Sequence, residues 1–416
     1  MADYLWSSTV STDPTLGANW TKSDGTTGTA PTTGDTATIA SIPGVTVASI
    51  GASGGMGNPP TTLTSSGAAS VGGNLAQSTN YFYKVTTLYA TGESVPSAEL
   101  SYATPASGTA TNLIVVNWVA PVVPGGTITG YKIYRSTTTG TELYLASVGV
   151  VLSYTDNSAT VPTGPMPGAA TLTSLTISQT FSGTIGTAGL GGYWQVNATT
   201  VNIGAPGAGI PGVGSAQVKL DNSSIQTTWN VFNSGQSTTG YEPVMLKGSH
   251  ASNVLNAMGG TTGIGTTQPG ELTSAGGTIT VATINATGNG TTVNAGSSVV
   301  LTTLNVASGA SILTNSAATT CTVSSGSTAN LKGSGAVTTI NNTGTVYHNI
   351  RNGGTGSTTI NNFPGGTVDF SGQPAAVTIG TMNIYPGSTC KRNPANPSHL
   401  TITTRALVEC GLETFS

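Results

Sequence analysis

A four-residue pattern recurs along the chain from about residue 174: Thr or Ser, an apolar residue, Asn or Thr, then usually a second apolar residue. It appears as Ser174-Leu175-Thr176-Ile177, Thr200-Val201-Asn202-Ile203 and Thr228-Trp229-Asn230-Val231, with a looser copy at Val254-Leu255-Asn256-Ala257. It continues through Thr283-Ile284-Asn285-Ala286, Thr303-Leu304-Asn305-Val306, Thr320-Cys321-Thr322-Val323, Thr339-Ile340-Asn341-Asn342, Thr359-Ile360-Asn361-Asn362 and Thr381-Met382-Asn383-Ile384. Alternation of polar and apolar residues predicts a strand with one buried face. The start-to-start steps are longer before Thr283 and shorter, nearly constant, after it. Between copies lie Gly-Ser or Gly-Thr turns and a second short strand, as in Gly344-Thr345-Val346-Tyr347 and Gly366-Thr367-Val368-Asp369-Phe370. Short strands repeated at such a period are the rungs of a parallel β-solenoid. Ten rungs at the strand spacing would extend roughly 45 Å.

In such a stack the second position forms an inward apolar column: Leu175, Val201, Trp229, Leu255, Ile284, Leu304, Cys321, Ile340, Ile360 and Met382. The third position is Asn in most copies, and stacked Asn amides bond along a ladder. Alternation puts Thr and Asn on the outer face, unless Asn sits at a corner.

One segment departs from this pattern. Residues 58–167 hold most of the tyrosines and are closed by Asn58-Pro59-Pro60 and Pro162-Thr163-Gly164-Pro165-Met166-Pro167. Alternating runs at Tyr81–Val85, Leu113–Trp118 and Tyr131–Arg135, with turn clusters between them, predict a β-sandwich. A weak copy of the repeat, Thr36-Ala37-Thr38-Ile39, precedes it. With 58–167 taken out, the step from Thr36 to Ser174 shrinks to the length of one upstream rung, such as that from Thr200 to Thr228. The expected fold is therefore all-β, a parallel β-solenoid with an inserted β-sandwich. Its parts are an N-terminal cap and first turns (1–57), the sandwich (58–167), the solenoid proper (168–390) and a C-terminal tail or cap (391–416). The caps fall on the Trp6/Trp20 region and on the tail, which loses the pattern.

Composition narrows the function. Only 25 of 416 residues are charged, 11 Lys+Arg against 14 Asp+Glu, with 58 Gly. Ordinary soluble domains carry about 25% charged residues. Like charges repel when stacked in register, which accounts for the deficit. A net charge of −3 with scattered basic residues leaves no footprint for nucleic acid. Disorder would need high net charge, and collagen a strict Gly period. Cys321, Cys390 and Cys410 are odd in number and lack CxxC spacing, so neither a disulfide framework nor a zinc site is expected. Residues 1–6 (MADYLW) lack the layout of a secretory signal, and no apolar run is long enough to span a membrane. The expectation is a protein made in a cytoplasm, with no membrane partner.

Candidate chemistry is sparse. Glycan cleavage needs paired carboxylates. From Thr273 to Cys390 the single acidic residue is Asp369, while Lys332, Arg351 and Lys391 fall on different rungs. Asp221, Glu242 and Glu271 read as solvated turn residues. His250, His348 and His399 are far apart, without HxH or HExxH spacing. Cys321 lies on the apolar column and reads as a small hydrophobe. The Gly204–Gly214 stretch has no following Lys-Ser/Thr and reads as a loop. Tyr193, Trp194 and Trp229 could stack on sugars, but in a chain this poor in large apolar residues they read as core. No catalytic, cofactor-binding or metal-binding residue is assigned, no cofactor is expected, and the protein is read as not an enzyme.

Two resemblances add to this. Asn117-Trp118 with Pro121, Gly130–Arg135 and Ser153–Asp156 resemble the first half of a fibronectin type III module, and Tyr81–Val85 with Gly92–Ser97 resemble its last two strands. The last strands come first, so the likeness is to a circularly permuted, Ig-like module whose ends lie close together, as insertion requires. It implies a fold and no activity. Ser174–Gly186 (SLTISQTFSGTIG), Ser249–Gly265 (SHASNVLNAMGGTTGIG), the TINA/TLNV rungs and the opening with Trp6, Asn19-Trp20 and Pro31–Asp35 resemble structural proteins of tailed-bacteriophage virions. That likeness implies assembly in the host cytoplasm, residence in the virion and a homotrimer. The expected function is a capsid decoration or cement-type protein on the particle surface, in contact with the major capsid protein or with tail components. The alternatives are a tail fibre or tailspike that binds host-surface glycan, and a bacterial surface adhesin.

Overall fold

The computed structural model describes residues 2–407 except 10–16, 41–58, 70–72, 90–91, 95, 106–111, 122–126, 158–159, 164–165, 167–170, 182, 187–192, 205–217, 223–225, 233–242, 249, 265–278, 297–298, 315, 334–335 and 351–353. The described residues are strands and turns, with two single 3-10 turns at Gly17–Asn19 and Pro397–His399 and no α-helix. Two compact units divide the chain. One comprises Met1–Thr173, Gly183–Asn197 and Lys219–Asp221; the other comprises Ser174–Ser182, Ala198–Val218 and Asn222–Ser416.

The second unit is a parallel β-solenoid. Its long sheet stacks the repeat in the register expected from the motif: Thr200 lies opposite Thr228, Thr228 opposite Val254, and Val254 opposite Thr283. The series continues Thr303, Thr320, Thr339, Thr359 and Thr381. All ten residues of the second-position column are fully buried. A second parallel sheet stacks Thr292–Ala295, Ser311–Thr314, Thr328–Gly333, Thr345–Ile350, Thr367–Asp369 and Thr389–Lys391. Its inward column is Val293, Ile312, Ala329, Val346, Val368 and Cys390, each buried. Apolar columns from two sheets enclose the core, and the backbone of each rung is bonded to its neighbours, which is why short, weakly hydrophobic strands suffice.

The Asn residues form the expected ladder on the outer, half-buried face. Asn230 Nδ2 donates to Asn202 Oδ1 at 2.9 Å, and Asn256, Asn285 and Asn305 each donate to the preceding Asn at 2.9, 2.8 and 2.9 Å. Thr322 interrupts the run. It resumes with Asn361 to Asn341 at 2.8 Å and Asn383 to Asn361 at 2.7 Å. The turns between rungs require glycine in places. A Cβ on Gly344 would lie 2.4 Å from Ser324 O and 2.5 Å from Ser327 O, so no other residue fits without moving the backbone.

The tail differs in part from its sequence pattern. Leu400–Leu407 adds a further parallel strand, with Thr404 opposite Thr381 and Arg405 opposite Met382. Backbone pairing does not require the motif, and on this terminal strand Arg405, at the column position, is exposed.

In the first unit, Asp3–Trp6 pairs antiparallel with Trp20–Lys22 and parallel with Thr36–Ile39. Trp6 and Trp20 meet edge to face, 5.0 Å between ring centroids, and both are buried. Gly34 N donates to Thr171 O at 2.9 Å and Thr173 N to Asp35 O at 2.8 Å. Asp35 and Thr173 are separated along the chain by the same step as Thr36 and Ser174, as expected if the sandwich interrupts one rung.

The inserted segment is a two-sheet antiparallel sandwich. One sheet runs Leu143–Val148, Ile128–Ser136, Asn80–Tyr89 and then Gly92–Glu93, with Leu100–Ala103 also paired to Asn80–Tyr89. The other runs Ser153–Asp156, Asn112–Val119 and Thr61–Ala69. Tyr81, Tyr83, Val85, Tyr131 and Ile133 of the first pack on Ile114, Val116 and Trp118 of the second. The run Gly92–Ser97 is only partly strand. Ser94 Oγ and Ser97 Oγ accept from the Thr87 and Val85 amides at 2.8 and 3.0 Å, so hydroxyls replace part of the ladder beside Pro96, which has no N–H.

Candidate functional site

The residues singled out for chemistry are dispersed. Asp221 is buried, and Asp369 is buried with Lys391 Nζ 3.9 Å away. Lys332 is half-buried opposite Asn349, and Lys391 is exposed. Glu242, Glu271, Arg351, Cys410 and residues 205–214 lie outside the described residues. His250 is exposed, and His399 lies with its Nδ1 3.1 Å from Gln373 O. Among the described residues no three His, Cys, Asp or Glu side chains come together as a metal would require. Cys321 is fully buried, and burial pushes its thiol up to about 12, which makes it unreactive as a nucleophile. Tyr193, Trp194 and Trp229 are buried and present no ring face to a sugar. Trp229 Nε1 donates to Asn222 Oδ1 at 2.9 Å.

The structure gathers charge in the sandwich instead. Arg135 Nη1 donates to both carboxylate oxygens of buried Asp156 at 2.9 and 2.7 Å. Tyr83 donates to the same carboxylate at 2.7 Å, and burial beside that charge drives its phenol far above the ordinary range. Arg135 also donates to Thr160 O and stacks 5.5 Å from the Tyr81 ring centroid. Glu93 accepts from Thr86, Lys132 and Tyr134 at 2.6, 2.8 and 2.5 Å.

A third group is a carboxyl pair. The Glu142 side chain is fully buried, with Lys84 Nζ at 3.2 Å, and Lys84 also lies 3.9 Å from Glu99. Burial and the adjacent Glu99 raise the Glu142 carboxyl; hydrogen bonding from Glu142, ahead of bonds from Thr139 and Gly140, lowers Glu99. The two carboxyls are thus driven in opposite directions, and Thr139 Oγ1 and Gly140 N donate to Glu99 at 2.7 and 2.8 Å. Two carboxyls whose pKa values are driven apart fit acid and base roles in a cleft. Here they hold a turn against a sheet. A neighbouring cavity of about 400 Å³, lined by Leu75, Tyr81, Arg135, Leu143, Thr160 and Val161 among others, is not lined by either glutamate.

Sequence reasoning missed these clusters because each joins residues distant along the chain, Arg135 with Asp156 and Glu99 with Glu142. It also missed Lys219, which is fully buried 5.9 Å from the Tyr193 ring centroid, with burial pulling its ammonium down to about 8. Nothing in Val218-Lys219-Leu220-Asp221 signals that all four are buried.

An apolar cluster is exposed at one end of the sandwich. Leu152 O accepts from Trp118 N at 3.1 Å, which brings Val150, Val151 and Leu152 beside Val119, each about half exposed or more. The fold is thus that of a parallel β-solenoid with a β-sandwich whose charged groups are paired with one another. No protein-family model, no curated protein and no solved structure matches the chain.

Proposed function

We propose that the protein is a non-enzymatic structural component of a tailed-bacteriophage virion, a decoration or cement-type protein on the capsid surface with the sandwich projecting outward. The observation that carries the scaffold reading is the ladder. Each repeat bonds the next through both backbone and Asn side chains, so the repeated polar groups serve the stack itself. The charged groups of the sandwich are likewise engaged with one another. The virion assignment rests on the likeness of the solenoid segments and the opening to such proteins. Strand order in the sandwich supports a permuted fibronectin type III module: central strands Asn80–Tyr89 and Ile128–Ser136 face Asn112–Val119, flanked by Ser153–Asp156 and Thr61–Ala69. On this reading the partners are two further copies of the chain and the major capsid protein or tail components. Assembly takes place in the host cytoplasm, and neither nucleic acid nor membrane is a partner.

Cryo-electron microscopy of intact particles tests the proposal. Density for the solenoid on the head, at sites of three-fold contact, is the expected result. Density confined to the tail, with specific binding on a glycan array, would replace it with the fibre or tailspike reading. Recovery of the chain from a secreted or cell-surface bacterial fraction would overturn both.

A further inference from the structure

His348 lies in the strand Thr345–Ile350, with its imidazole turned inward and fully buried. Its ring meets Phe370 at 5.0 Å between centroids, planes 40° apart. Nε2 is 3.3 Å from Ser357 Oγ, and Nδ1 has no hydrogen-bond partner. Phe370 begins a turn in which Gln373 N donates to Phe370 O at 3.0 Å and Gln373 Nε2 to Ala375 O at 3.0 Å. Gln373 O in turn accepts from Asn393 Nδ2 at 3.3 Å and lies 3.1 Å from His399 Nδ1. One buried imidazole therefore supports the turn that holds Asn393–His399, and through it the entry to the last strand, Leu400–Leu407.

The charged residues around this site do not compensate a positive ring. On the strand Thr328–Gly333, His348 faces buried Leu331, while Lys332 lies opposite Asn349. On Thr367–Asp369, Asp369 lies opposite Tyr347, on the other face from Phe370, and is turned to Lys391 at 3.9 Å. The segments Gly354–Ser357 and Phe370–Ala375 carry no charged residue, and His399 meets the backbone of Gln373. Arg351 lies outside the described residues.

We propose that the C-terminal layer of the solenoid, Ser357–Leu407, is an acid-released closure: protonation of His348 in this uncompensated site detaches the layer while the preceding rungs stay folded. Release exposes the edge of Val337–Asn342 and Thr345–Ile350, unpaired backbone that can accept a strand from another chain. The direction follows from linkage. Burial lowers the imidazole from its ordinary value to about 4, outweighing the Gln373 side chain and the His348 backbone, which both act the other way. The closed layer is therefore fully stable above about pH 6.5 and loses stability as pH falls toward 4, where the opening constant has risen about 160-fold, half of the ~300-fold limit reached at still lower pH.

Hydrogen exchange of the full chain from pH 7.5 to 4, corrected for intrinsic rates, tests this. Protection in 359–407 should be lost between pH 6 and 4 while 283–323 stays protected. His348→Gln should abolish that transition. Ser357→Asp, which sets a carboxylate beside the ring, should move it to lower pH. Loss of protection in all rungs together would overturn the proposal, as would an unchanged transition in His348→Gln. If His348→Gln does not fold, an unchanged transition in Ser357→Asp overturns it alone.

Discussion

The interruption of the Asn ladder at Thr322 offers a gain-of-stability test. Thr322 stands in register between Asn305 and Asn341, so Thr322→Asn would join a run of five Asn to a run of three. The new Nδ2 would donate to Asn305 Oδ1 and the new Oδ1 would accept from Asn341 Nδ2, as in the rest of the ladder. Two amide bonds contribute about 2 kcal/mol net in a buried setting. The ladder is half-buried, so water already satisfies part of that, and roughly half remains. Thr is also the better strand former, by up to ~1 kcal/mol across the whole scale, which offsets some of the gain. The expected result is a stabilisation of about 0.5–1 kcal/mol. Asn285→Ala is the converse: it removes the bonds to Asn256 and from Asn305 and should cost about 1–2 kcal/mol. Urea unfolding with an unchanged slope, read as the shift in midpoint, measures both. Destabilisation by Thr322→Asn, or equal costs for Asn285→Ala and Thr322→Ala, would refute the claim that side-chain bonding along the ladder holds the rungs in register.

Other outcomes follow from the same packing. Ile340→Ala, in the middle of the fully buried column, should cost about 3 kcal/mol or more, whereas Cys321→Val should stay within ~1.5 kcal/mol. Native alkylation followed by mass spectrometry should leave Cys321 unmodified until urea unfolds the stack. Asp156→Ala strands the Arg135 charge and the Tyr83 hydroxyl inside the sandwich and should cost about 3–5 kcal/mol, seen as a lowered sandwich transition in calorimetry. Gly344→Ala forces a Cβ against two carbonyl oxygens and should loosen that turn, read as faster exchange of the Thr343 and Thr345 amides that bond the previous rung.

The solenoid was legible because its determinants are local and repeated. Thr283-Ile284-Asn285-Ala286 carries in four letters its outward and inward faces and its rung register, and the structure adds only the coordinates. The sandwich was legible where alternation is strong, as in Asn112–Val119, and less so at Gly92–Ser97, where serine side chains take over backbone pairing. What could not be read was every contact that depends on two distant residues meeting. Glu99 and Glu142 look like ordinary surface acids until the fold brings their carboxyls together beside Lys84. His348 looked unremarkable for the same reason: its significance is the absence of any counter-charge on the elements around it, a property of four separate segments.

The distribution of charge then has a structural cause in each part. In a stack, an inward charge would repeat its desolvation cost at every rung and an outward one would meet its like about 4.8 Å away. Neutral Asn escapes both penalties because its amide carries donor and acceptor and so bonds to a copy of itself, which no charged side chain can do. The sandwich pairs different strands antiparallel, so residues of opposite charge can be set against one another, as Arg135 is with Asp156 and Lys132 with Glu93. A repeat that satisfies its polar groups by self-pairing gains length without new chemistry. On the proposed structural reading, specific recognition would fall to the parts that break the repeat: the inserted sandwich, with its exposed Val119 and Val150–Leu152 end, and the terminal layer closed over His348.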